Sequence, residues 1–177
     1  MIPTGVVGSS REKVVIPKQV SLKAYEVFTH SEYYPEKWSQ QIKGEGGFTG
    51  FNFWAFLLGY RWCLFRKLTR LGIYLFVLEN LAFVAALLAS TELGLDRELV
   101  TMSLGATVLG LMTFTGFYAN YAYFNLAKRK ITILAHSIVA ENEYGEVLRE
   151  QGGVSLLTMF VFIGIGGLLS ALLSVMW

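Results

Sequence analysis

The chain holds one cysteine, Cys63, in 177 residues, so no disulfide can form within it. Its three prolines, Pro3, Pro17 and Pro35, all fall in the first 47 residues, which leaves the rest free to form long unbroken helices. Asp, Glu, Lys and Arg make up only 16%, too little charge for an ordinary soluble domain. The two histidines, His30 and His136, stand apart, with no Cys or carboxylate near either at metal-ligand spacing. No metal, no cofactor and no catalytic residue is therefore expected. A net charge of +2, its cations flanking apolar segments and forming no separate basic face, excludes a nucleic-acid partner.

What fills the chain is apolar: 54% hydrophobic residues, 15% aromatic, and a mean hydropathy of +0.48. Such a composition belongs to an integral membrane protein. The length is short for a transporter built from inverted repeats, and no self-similarity suggests one. A role as an oligomer or as a subunit of something larger is expected instead. The first residues are too polar for a secretory signal peptide, and nothing in them suggests export.

Three domains are expected: a cytoplasmic head and Gly-rich hinge at 1–50, an aromatic helix with a basic flank at 51–70, and a three-helix transmembrane domain at 71–177. In the head, two β-favouring runs at 14–16 and 24–28 suggest a short hairpin, and part of the head is expected to be ordered only by the membrane surface or a partner. The spans are placed at about 71–90, 99–126 and 154–177, each with twenty or more residues and at most one formal charge. A cytoplasmic amphipathic connector is expected at 128–153. With no proline from Leu99 to Glu143, the second span should run on as one long helix, its apolar stripe formed by Ile131, Leu134 and Ile138. Gly145, Gly152 and Gly153 are its expected stops. The fold class is thus all-α, with three transmembrane helices, one interfacial or re-entrant helix and a small head.

Residues 51–65, FNFWAFLLGYRWCLF, are apolar but fall short of the roughly 20 residues needed to cross about 30 Å of hydrocarbon. If they do not cross, the basic clusters RKLTR at 66–70 and KRK at 128–130 lie on one side with the N-terminus, and only Arg97 faces out. If they cross, both clusters are exported, against the retention of cations in the cytoplasm. A multi-pass protein of the bacterial cytoplasmic (inner) membrane follows, N-terminus in the cytoplasm, Trp177 at the periplasmic side. On a helical wheel Phe51, Trp54, Ala55, Leu58, Trp62 and Phe65 share one lipid-facing side, and Arg66 with Lys67 completes the interfacial anchor.

The segment AYEVFTH at 24–30 and the run IKGEGGFTGFNFWAFLLGYRWCLFRK at 42–67 resemble a family of small bacterial inner-membrane proteins known only as a domain of unknown function. Its hallmarks are a tyrosine- and valine-rich strand, a K-x-GF turn and an aromatic run ending in R-K. Phe51, Trp54, Ala55, Phe56, Gly59, Trp62, Leu64, Arg66 and Lys67 fit best; Tyr60 stands where proline is usual, and extra residues separate Lys43 from Phe51. The resemblance implies membrane location and topology without a mechanism.

Within the spans, Glu79 with Asn80 is the sharpest anomaly, since a charged residue at mid-bilayer costs about 3 kcal/mol on insertion scales. By rise per residue Glu79 and Asn120 could meet, with Thr115 and Thr113 slightly deeper, and with Arg61 near only if the short segment dips inward. A packing hydrogen bond between helices is weighed against a proton relay. Small residues, Ala106 with Gly110, and Gly166, Gly167, Ser170, Ala171 and Ser174, offer close helix approach, either within the chain or to another subunit. Cys63 beside Arg61 and Arg66 could carry a lowered thiol pKa, though a packed thiol is the simpler expectation. The acidic run Glu141, Glu143, Glu146 and Glu150 reads as a solvated helix face. Phe117, Tyr118, Tyr121, Tyr123 and Phe124 read as the cytoplasmic aromatic belt.

The expected role is a non-catalytic accessory or assembly subunit whose partners are membrane lipids and other membrane subunits or further copies of itself. A small proton-coupled carrier using Glu79 is the alternative, and a lipid- or quinone-binding membrane protein the third.

Overall fold

The computed structural model describes residues 16–137 and 139–174. Ile138, Trp177, the first two residues of the run at 14–16 and the Ser174 side chain lie outside the described residues. Everything regular that is described is helical: α1 Leu22–Thr29, α2 Tyr33–Lys37, α3 Ser39–Lys43, α4 Phe53–Leu58, α5 Tyr60–Phe65, α6 Thr69–Thr91, α7 Arg97–Ala135, α8 Glu141–Gln151 and α9 Leu156–Ser174. Three stretches, Thr69–Thr91, Arg97–Ala135 and Glu141–Leu172, are long and apolar enough to cross a membrane. In the last of these the apolar part is α9, because α8 is rich in carboxylates.

The α7 helix is the spine. At about 1.5 Å per residue its 39 residues reach about 58 Å, roughly twice a bilayer's hydrocarbon thickness. Asp96 starts it by accepting the Leu99 N–H at 3.0 Å, a side-chain cap for one of the orphan donors of the first turn. Its first half pairs with the far end of α6, where Ala86, Leu87 and Val100 are buried. Its second half, from Thr115 to Leu134, supports the head, α4 and α8.

The sequence expectation of a hairpin in the head is overturned. Residues 24–28 lie in α1, capped by the Ser21 side chain at the Ala24 N–H. Ala24, Tyr25, Phe28 and Thr29 recur with helical period on its buried face, so packing against α7 overrides their strand preference. The described part of the head packs on α7 through its aromatic side chains. Trp38 is fully buried among Tyr34, Tyr123 and Phe124 at ring separations of 5.0, 5.5 and 5.5 Å, and Tyr25 stacks on Phe124 at 5.8 Å. Aromatic pairs at such spacings each add about 0.5–1.5 kcal/mol beyond burial. Tyr123 and Phe124 are therefore core of the head and not belt, whereas Phe117, Tyr118 and Tyr121 are exposed.

The long-helix extension also stops early. α7 ends at Ala135, where the Ser137 hydroxyl caps the Leu134 carbonyl at 2.7 Å and the Lys18 ammonium donates to the Ser137 carbonyl. The chain then turns so that α8 can pack on α1. Gly145 does not stop a helix there: it is buried within α8 beside Tyr144 and Leu148, and Gly152 forms the C-cap. Ile131 and Leu134 of the expected stripe are buried against this layer.

Candidate functional site

Residues 51–65 form two short helices broken at Gly59, whose φ of 55° and ψ of −130° suit only a residue without a Cβ. The single lipid face read on one helical wheel is therefore divided. Trp54 is 64% exposed and Phe51 and Leu58 are partly so, while Ala55 and Trp62 are buried. The pair of helices is wedged against α6, α7 and α9.

Asn52 begins this wedge. Its side-chain oxygen accepts the Ala55 N–H at 2.9 Å, capping α4, while its amide donates to the Asn120 carbonyl oxygen at 2.8 Å. The Asn120 amide in turn donates to the Gly50 and Thr49 carbonyls at 2.9 and 3.3 Å. One turn away the Asn52 backbone N–H donates to the Gly116 carbonyl at 2.8 Å. Gly116 admits this approach because a Cβ there would fall 2.5 Å from the Phe51 ring. Asn120 is fully buried, and both its donor and acceptor groups are used, so the wedge is fixed to α7 at one register. Thr115, also buried, donates to the Leu111 carbonyl of its own helix.

Glu79 finds a different partner. Arg61, at the start of α5, places its guanidinium 3.9 Å from the carboxylate and 4.3 Å over the Tyr60 ring. Asn80 donates to the Phe76 carbonyl of its own helix at 2.7 Å. These polar residues thus form two groups, Asn52 with Asn120 on α7 and Arg61 with Glu79 on α6. Arg61 meets α6 about 15 Å in from Thr69, so α5 runs back along the first three turns of that helix.

The hairpin between α5 and α6 closes with a Schellman pattern: Leu68 N–H to the Cys63 carbonyl at 2.8 Å and Lys67 N–H to the Leu64 carbonyl at 3.1 Å. Lys67 holds the left-handed position, φ 59°, where glycine is usual. Arg66 turns inward, its guanidinium 4.9 Å over Tyr34 and 5.5 Å over Tyr123. Of the expected anchor, then, Arg66 joins wedge to head. Cys63 is fully buried in the hydrophobic core, the packed thiol that was the simpler expectation.

The small residues divide as well. Gly166 sits against Tyr60, whose hydroxyl would lie 3.2 Å from a Cβ at that position, whereas a Cβ on Gly110 or Gly167 would meet nothing within 4 Å. Ala106 and Ser170 are not buried. Asn52 and Thr49 escaped the sequence reading as site residues; an Asn just ahead of an apolar helical run is an N-cap signal that could have found the first.

Fold and site define an all-helical, multi-pass membrane protein with a broken helical wedge held against its long helices by a buried amide pair and a partly exposed charge pair. The chain belongs to the family described as Protein of unknown function (DUF2628), whose model matches residues 30–129, more than half of its length. The match takes in α2 through most of α7 and begins after α1. Comparison with curated proteins and with solved structures gave no match.

Proposed function

We propose that this protein is a non-catalytic accessory or assembly subunit of the bacterial cytoplasmic membrane, with its N-terminal head in the cytoplasm and its C-terminus in the periplasm. The observation that carries the reading is the openness of the spans. None of the most apolar stretch of the third spanning segment is buried within the chain, and the small-residue positions Gly110 and Gly167 have open space before them. Small residues that face no helix of their own chain are suited to receive one from another chain, since close backbone approach is how helices associate in lipid. The orientation rests on Lys67, Arg70, Arg129 and Lys130, which gather at one end of α6 and α7.

Photo-crosslinking in native membranes from Ser170, compared with the 70% exposed Leu168, tests this. A stoichiometric protein adduct specific to Ser170, retained through purification in mild detergent, supports the subunit reading. Lipid adducts alone at both positions would sink it.

A proton-coupled carrier is the second reading, favoured by the Arg61–Glu79 pair midway along α6. Proton flux in vesicles that Glu79→Gln abolishes would establish it.

A further inference from the structure

The start of α6 and the second half of α7 line an open cleft of about 540 Å³. Its rim carries four cations, Lys67, Arg70, Arg129 and Lys130, and its floor is apolar, made by Leu71, Ala122 and Leu126. No carboxylate side chain lines it, and among the described residues Arg70, Arg129 and Lys130 have no acidic partner. Lys67 donates to the Glu150 backbone carbonyl at 3.0 Å, which holds its ammonium in place without neutralising it. Burial, with the like charge of Lys130, keeps the Lys67 amine below its usual range. The first turn of α6 has no side-chain cap, so its free N–H groups add a partial positive charge at the same rim.

Lys67 also borders a neighbouring pocket lined by Glu146 and Glu150, but Arg70, Arg129 and Lys130 face one concavity with no acid in it, and an anion seated there would relieve their mutual repulsion. The shape adds a second requirement. From Tyr118, which closes the apolar end, to Arg129 at the rim is about 16 Å along α7, and the surface changes from apolar to cationic over that length. A free phosphate ion would use only the rim. We propose that this cleft seats the phosphate headgroup of an anionic phospholipid, with the first part of an acyl chain lying along the floor. Basic pockets between spanning helices recognise lipid headgroups in this way. The proposal stands independently of the subunit reading.

The test uses the full-length protein reconstituted into phosphatidylcholine discs with or without phosphatidylglycerol, with thermal unfolding as the readout. Phosphatidylglycerol should raise the midpoint by several degrees in the wild type and by little in Arg70→Gln/Arg129→Gln. The exposed control Lys43→Gln/Lys128→Gln, which removes equal charge outside the cleft, should keep the full shift. Should the double variant fail to assemble, Arg129→Gln alone makes the same comparison with a smaller loss. Equal shifts in wild type and cleft variants overturn the proposal, and so does an equal shift produced by inorganic phosphate in phosphatidylcholine discs.

Discussion

Asn52 and Asn120, 68 residues apart, share a hydrogen bond of 2.8 Å that is buried on both sides. Because Asn52 also caps α4 and Asn120 also holds the Thr49 and Gly50 carbonyls, one amide pair sets both where the wedge starts and how it is turned.

Replacing Asn120 by Leu should leave the Asn52 amide and two backbone carbonyls without partners, a loss of about 1–3 kcal/mol. Asn52→Ala should cost about 1 kcal/mol through the cap as well as the pair. The two effects should not add. A double-mutant cycle on unfolding in detergent measures the coupling, and strict additivity would show that the pair carries no energy of its own.

Gly152 and Gly153 fasten α8 to α1. The Gly153 N–H donates to the Phe28 carbonyl at 2.7 Å, and a Cβ on Gly152 would lie 1.8 Å from that same oxygen. Since the obstacle is backbone, it cannot move aside as a flexible side chain would. Gly152→Ala should therefore lower the unfolding midpoint markedly and expose the head to limited proteolysis, while Gly94→Ala, facing open space, should pay only for its positive φ.

The Arg61–Glu79 contact separates packing from transport. Glu79→Gln keeps an acceptor for the guanidinium and should leave assembly intact, whereas Glu79→Leu leaves Arg61 alone beside α6. The expected loss is about 1 kcal/mol, smaller than for a fully buried pair because the Arg61 side chain is 39% exposed. Thermal unfolding of both variants decides it, and equal tolerance would remove any structural role for the pair.

Alkaline pH should loosen the head. Burial against Phe124 and Trp38 raises the Tyr25 phenol from 10.0 to about 12, so the folded state holds its proton where the unfolded chain has released it. Its contribution is intact below pH 10 and is lost as the pH climbs from 10 toward 12, about 3 kcal/mol at most. Tyr25→Phe should flatten that part of the stability profile measured by denaturation across pH 9–12; an unchanged slope would show that Tyr25 does not titrate with unfolding.

The spanning helices were legible because twenty apolar residues in a row admit few other structures, and α7 was visible as one helix past Leu126 because no proline or glycine interrupts it there. Its end was not. Ser137 and Lys18 terminate it through contacts with no local signature, and α8 folds back only because α1 offers Phe28 to Gly153. The strand expected at 24–28 failed because Tyr, Val and Phe favour a sheet only where there is one to join; here they meet the aromatic face of α7. Glu79 was conspicuous as a charge in a span, yet its partner depended on Gly59 breaking the wedge and aiming Arg61 inward.

The unbroken length of α7 makes it a lever as well as a scaffold. A helix of about 58 Å that leans by about 5° carries its far end sideways by about 5 Å. Spanning helices lean to match the thickness of the bilayer around them. The Trp38 and Tyr25 rings are packed on the end of α7 that carries Tyr123 and Phe124, so any such lean carries the head along with the helix.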